Sequence, residues 1–201
     1  LSLGADIVMH STTKFIGGHS DIIGGALITN NKQLAEKLYF IQKSGGAVPS
    51  PFDCWMLLRS TKTLGLRFQK QSDNALELAN RLNSHEKIGS VIYPGLSSHP
   101  QFNLATKQQL NPNNQPIYGS MISIKLGSIA KRDSFLNKLE LFKLAESLGG
   151  VESLVCVPFE MTHGSVPTDM KIKMGLTEDL VRLSVGIEHI DDLYIDLDQS
   201  L

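Results

Sequence analysis

Residues 4–14 read GADIVMHSTTK. Ile7, Val8 and Met9 form a short apolar, partly β-branched run, which predicts a buried strand over Asp6–His10. Polar HSTTK follows, ending on Lys14. Hydroxyls beside a lysine at a strand exit suit a phosphate, because Ser and Thr donate hydrogen bonds where the loop backbone is also free to donate. The lysine is then either a fixed positive charge or a Schiff-base amine. The bland alternative is a solvated turn lysine, the commonest environment of Lys. The G-x-x-x-x-G-K-[ST] phosphate loop and the G-x-G-x-x-G dinucleotide fingerprint are both missing.

Upstream, Leu1–Leu3 reads as a helix end with Gly4 as its cap. The opening has neither a basic segment nor an uninterrupted apolar one, so it does not read as a signal peptide. It resembles interior sequence, and the expectation is a fragment, or a subunit that needs a complementary piece.

Downstream, Ile22–Asn30 predicts a second strand, and Lys32–Gln42 a helix with Leu34, Leu38 and Ile41 on one face and Asn31 as N-cap. GGAVPSP, Gly45 to Pro51, interrupts the chain. One helical stretch is expected from Pro51 to about Leu82, bent at Gly65, about 45 Å long and connecting two lobes. An α+β alternation follows: strand Val91–Tyr93, helix Pro100–Gln109, loop Asn111–Pro116, strand Ser120–Leu126, a helix from Ser128 to Lys138, strand Val181–Val185, and helix Ile190–Ser200. Asp191 and Asp192 complement the dipole of that last helix.

Composition sets outer limits. The chain has 201 residues, 41% hydrophobic and 19% charged, with a formal net charge of -1. That balance suits a globular chain with a sizeable core and favours neither nucleic acid nor a membrane surface as partner. No apolar run approaches the roughly 18 residues that span a bilayer. Two distant cysteines, Cys54 and Cys156, make neither a disulfide framework nor a thiolate zinc site, so they read as inert buried thiols in a reducing cytoplasm.

Three further places can carry chemistry. His10, His19 and Asp21 lack metal-ligand spacing, so no metal is expected. Arg182 interrupts the apolar run VRLSV; it is either a structural ion pair or a fork for a carboxylate. Glu146, in LAESLGG, is a loop carboxylate or a site residue.

Taken together, GADIVMHSTTKFIGGHSDIIGG, GAVPSPFDCWMLLRSTKTL, YPGLSSHPQ, LAESLGGVESL, MTHGSVP and VRLSVGIE resemble the cystathionine γ-lyase and γ-synthase branch of the pyridoxal-phosphate transsulfuration enzymes, in that family's order and spacing. The resemblance implies an α/β fold of the aspartate-aminotransferase-like kind (fold type I). Residues 1–66 would be the C-terminal part of the pyridoxal-phosphate-binding large domain, with a mostly parallel sheet, and residues 67–201 a smaller C-terminal α+β domain. It implies pyridoxal 5'-phosphate as cofactor, Lys14 as the catalytic Schiff-base lysine, and Ser11 and Thr13 as hydroxyls holding the cofactor phosphate. By the same resemblance Arg182 binds the substrate α-carboxylate, Ser147 assists there through its backbone, Thr162 stands nearby, and Glu146 marks γ-acting members by receiving a distal ammonium.

The implied activity is a carbon–sulfur lyase cleaving cystathionine to cysteine, 2-oxobutyrate and ammonia. The alternatives are a γ-synthase that joins cysteine to an activated homoserine, and a truncated non-catalytic chain associating with a full-length partner. The substrates implied are small amino acids (cystathionine, cysteine or a homoserine ester), and the assembly a cytoplasmic homotetramer of active dimers. AVPSPFDCW and YPGLSSHPQ look closer to eukaryote-like γ-lyases. The pattern departs at Cys156, where γ-lyases often carry an acid, and at Phe159 and Glu160. In the family, the aspartate that pairs with the cofactor ring nitrogen lies upstream of the lysine and is not among these residues, so the chain alone is expected to be a poor catalyst.

Overall fold

The structure, a computed structural model, describes residues 1–201, which divide into two compact units, Leu1–Gly65 and Leu66–Leu201.

In the first unit, strand β1 (Val8–Ser11) pairs antiparallel with β2 (Gly25–Ile28), Val8 opposite Ile28 and Ser11 opposite Gly25. The mostly parallel sheet expected of this region is therefore not formed within residues 1–65, where the one sheet is this antiparallel pair. The predicted strands shorten to these segments. Val8 is half-buried and Met9 exposed rather than buried, because a lone two-stranded sheet has little layered against it. Leu1–Leu3 forms a turn instead of a helix end; the Gly4 N–H donates to the Leu1 carbonyl and Gly4 takes a φ of 101°. Helix α1 (Lys32–Gly45) starts as expected, with the Asn31 side chain accepting from the N–H groups of Gln33 and Leu34, and ends at Gly46 in the left-handed region.

The long connector helix is two helices. Helix α2 (Pro51–Thr61) is capped by Ser50, whose Oγ accepts from the Asp53 N–H, and α3 (Leu64–Asn83) follows after a turn. The interruption lies at Lys62–Thr63, not Gly65. There the backbone switches to tight bonds, Lys62 N–H to Arg59 and Thr63 N–H to Ser60, while the Thr61 and Thr63 hydroxyls donate to the carbonyls of Leu58 and Ser60. Threonine hydroxyls compete in this way with helix propagation.

The second unit is built on a mixed five-stranded sheet. Strands β3 (Ser90–Ile92), β4 (Met121–Lys125), β5 (Lys143–Leu144), β6 (Leu154–Cys156) and β7 (Leu180–Ser184) lie in the order β3-β4-β7-β6-β5, antiparallel except for the β5–β6 pair. Four more helices complete it: α4 (Phe102–Gln108), α5 (Ile129–Lys138), α6 (Thr168–Lys173) and α7 (Ile190–Ser200). The Ser128 hydroxyl caps α5, as its position predicts, and His189 caps α7. Alternation along β4 sends Ile122 and Ile124 inward, and β7 adds Val181 and Leu183. These meet Ala75, Leu78, Ala79 and Leu82 of α3, Phe135 of α5, and Leu193 and Leu197 of α7 in one core. Buried Asp196 of α7 accepts from the N–H groups of Glu140, Leu141 and Phe142, which ties the α5–β5 connection to this core. No helix is long and apolar enough to cross a membrane.

Candidate active-site residues

In the first unit β1 runs directly into a wide turn, Thr12–Ile16, closed by the Gly17 N–H on the Thr12 carbonyl and the Gly18 N–H on the Lys14 carbonyl. Lys14 breaks the helical run with φ -89° and ψ -131°. Thr12 is buried and its N–H donates to the Gly24 carbonyl. Two glycines make this packing possible. A Cβ on Gly24 would stand 2.7 Å from the Thr12 hydroxyl, and one on Gly17 would stand 2.7 Å from the Thr12 carbonyl. Thr12 is thus the buried anchor of the turn.

The Thr13 Oγ1 accepts the Gly24 N–H at 3.0 Å, and its own hydroxyl proton has only a long contact, 3.5 Å, to the Gly24 carbonyl. That proton is well placed to be given to a better acceptor. Exposed Ser11 adds a second hydroxyl next along the chain. Two donor hydroxyls adjacent to an amine on a glycine-packed turn fit a phosphorylated aldehyde cofactor. A cleft of about 370 Å³ also opens in this unit, lined by Thr12, Ile22, Gly24, Val48, Asp53 and Cys54 among others.

The second unit holds the other candidates. Arg182 lies on β7 directly opposite Ser123 of β4 and Cys156 of β6, so the three share one face of the sheet. Both neighbours are neutral, and Arg182 enters none of the ion pairs of the fold. The structural ion-pair alternative for Arg182 is therefore not realised. Its Nη2 donates to the Ser147 carbonyl at 3.3 Å, and its buried Nε has no partner. Burial pushes the Cys156 thiol up; the Arg182 guanidinium opposes this, and Glu146 adds to it. Both charged side chains thus act on the same buried sulfur.

Ser147 is a non-glycine residue at φ 99°, a conformation that persists only where the surroundings impose it. Glu146 beside it is exposed. The Thr162 Oγ1 lies 2.8 Å from His163 Nδ1 and 3.5 Å from the Pro158 carbonyl. The unusual Phe159 and Glu160 have local partners. The Lys171 ammonium lies 4.5 Å from the Phe159 ring centroid and donates to the Phe159 carbonyl, and Glu160 pairs with buried Arg132 at 2.8 Å.

The sequence reading did not connect Cys156 or Ser123 with Arg182. Only strand register brings them together, and β6 is three residues long, too short to declare itself by alternation.

The model of the family described as Cys/Met metabolism PLP-dependent enzyme matches residues 1–201. The chain belongs to this family. Its cofactor is accordingly pyridoxal 5'-phosphate. The chain is similar to a cystathionine gamma-lyase of Dictyostelium discoideum, 52% identical over all of this chain and 51% of the relative. It is also similar to a cystathionine beta-lyase of Coxiella burnetii, 48% identical over all of this chain and 51% of that one. Among solved structures, a cystathionine gamma synthase from Xanthomonas oryzae pv. oryzae in complex with aminoacrylate and cysteine superposes with a TM-score of 0.91 at 39% identity, covering 99% of this chain and 50% of that one. The chain thus spans about half the length of the relatives it matches. A cystathionine gamma-synthase of Mycobacterium bovis is 49% identical, beside 52% for the gamma-lyase and 48% for the beta-lyase, so family membership leaves the particular reaction open.

Proposed function

We propose that the chain is the lysine- and arginine-bearing half of a carbon–sulfur lyase that cleaves cystathionine, with water, to cysteine, 2-oxobutyrate and ammonia. The single observation that carries this reading is Arg182, a guanidinium among neutral strand neighbours, with no carboxylate partner and a buried Nε without an acceptor. A fork in that state is suited to a carboxylate supplied by substrate.

Bound pyridoxal phosphate supplies the electron sink that allows bonds at the substrate Cα to break. Ser11 and Thr13 would hold the cofactor phosphate by hydrogen bonds from their hydroxyls, and Lys14 would hold the cofactor through Nζ. Once freed by the incoming substrate amine, the same Nζ would take the proton from the substrate Cα and return protons further along the side chain. Arg182 holds the substrate α-carboxylate, with the Ser147 backbone assisting and Thr162 close by. Glu146 receives the ammonium at the far end of cystathionine. The resemblance extends to a cytoplasmic homotetramer made of active dimers.

The γ-synthase is the second reading, favoured by the structural match to an enzyme of that name. Both readings use the same residues and differ in the reactants, cystathionine and water for the lyase and an activated homoserine and cysteine for the synthase.

The experiment concerns Glu146. In the intact enzyme, Glu146→Ala is expected to weaken cystathionine cleavage much more than β-elimination from cysteine, which lacks the far ammonium. The expected difference is one charged hydrogen bond, roughly 1.5–3 kcal/mol in kcat/KM. Equal losses on both substrates would remove Glu146 from the substrate and leave the γ-acting reading resting on family resemblance alone.

A further inference from the structure

Gln71 lies on the core-facing side of α3, one turn before Ala75 and two before Leu78, and is fully buried. An amide in that stripe is out of place unless its polar atoms are used. Its Nε2 donates to the Gly150 carbonyl at 2.6 Å and more weakly to that of Gly149 at 3.4 Å, while its Oε1 has no partner. From the other side, the Ser184 hydroxyl of β7 accepts the Gly149 N–H at 2.9 Å. Two residues back, Ser147 holds its φ of 99° and accepts from Arg182 through its carbonyl.

The segment 147–150 is therefore gripped from α3 by Gln71 and from β7 by Ser184 and Arg182. Gly149, at φ 83°, is itself left-handed, so the segment carries two residues that would relax if the grip were lost. We propose that Gln71 is a positioning residue for carboxylate binding. By holding the carbonyls of Gly149 and Gly150 it fixes the backbone of Ser147, and so the carbonyl against which the Arg182 guanidinium is seated. The unpartnered Oε1 agrees with a role in the donor end alone. This inference rests on the reading of Arg182 as the substrate-carboxylate residue.

The test uses the intact, cofactor-loaded enzyme with Gln71→Met, which keeps volume and removes the donor. KM for cystathionine is expected to rise about ten-fold with kcat within about two-fold, the loss of one buried hydrogen bond expressed in binding alone. In an Arg182→Ala background the same change should add less than about two-fold, because both act through one guanidinium. Deuterium exchange should quicken at the amides of Gly149 and Gly150 in Gln71→Met. Ser184→Ala, which removes the opposite grip, should reproduce the KM effect and decides the matter should Gln71→Met fail to fold. A raised KM in Arg182→Ala with unchanged KM in Gln71→Met and Ser184→Ala overturns this inference alone. An unchanged KM in Arg182→Ala overturns the carboxylate reading beneath it.

Discussion

The two units of this chain are built to different degrees of self-sufficiency. In Leu66–Leu201, helices α3, α5 and α7 close over the sheet, and Ile122, Leu183 and Leu193 have no accessible surface. In Leu1–Gly65 the largest buried apolar side chain is Ile22, and α1 buries no residue at all. Tyr39, Phe40 and Ile41 of α1 and Phe52, Trp55 and Leu58 of α2 all stand well exposed. Yet this thinly packed unit carries the cofactor lysine of the family resemblance. Secondary structure there is held by caps, Asn31 and Ser50, and by glycine-permitted close packing around Thr12, while hydrophobic burial dominates elsewhere.

The strongest challenge to this contrast is dissection. Residues 66–201 produced alone are expected to fold with a cooperative thermal transition and dispersed NMR resonances, and residues 1–65 alone to do neither. A cooperative transition in the smaller piece would show that its exposed side chains do not limit its stability.

A milder version uses truncations in the whole chain. Leu183→Ala should cost about 2–5 kcal/mol in urea unfolding, as large-to-small changes in closed cores do. Phe40→Ala, an equally apolar loss from α1, should stay within about 0.5 kcal/mol. Similar costs at both positions would erase the distinction.

The smallest expected effect sharpens the picture of the closed core. Tyr93 is buried with its hydroxyl donating to the Gly119 carbonyl at 2.8 Å, and burial, with lesser contributions from Tyr118 and Asp73, pushes its phenol well up. A pKa raised in the folded state contributes stability that is fully present below the unfolded value, about 10, and lost as pH climbs above it. The chain should therefore lose urea resistance as pH rises above about 10, more steeply than Tyr93→Phe does. Parallel losses in both proteins would place the alkaline sensitivity elsewhere.

Much of this architecture was legible in the residues. Asn31, Pro51 and Ser128 announce helix starts because a cap or a fixed φ acts within one turn, and the alternation of Ile122 and Ile124 marks a half-buried strand. Short elements were not legible. Strands β5 and β6 have two and three residues, below one full period of pattern, and α6 begins at Thr168 after Pro167 without a side-chain cap. The break at Lys62–Thr63 depends on hydroxyls that also occur within helices, so sequence pointed to Gly65 instead. At the candidate site, composition could name Arg182 but not its neutral neighbours. Those are fixed by register between strands far apart in sequence. Gln71 was hidden for a related reason: its partners, Gly149 and Gly150, lie 78 and 79 residues away.

The assignment of Lys14 as the cofactor lysine underlies the whole functional account, and one chemical measurement tests it directly. Borohydride reduction of the cofactor-loaded protein, followed by proteolysis and peptide mapping, should place the pyridoxyl group on Lys14, within the peptide containing HSTTK. Lys14→Ala should correspondingly abolish the visible absorbance of the bound cofactor. A pyridoxyl label on any other lysine would contradict the account.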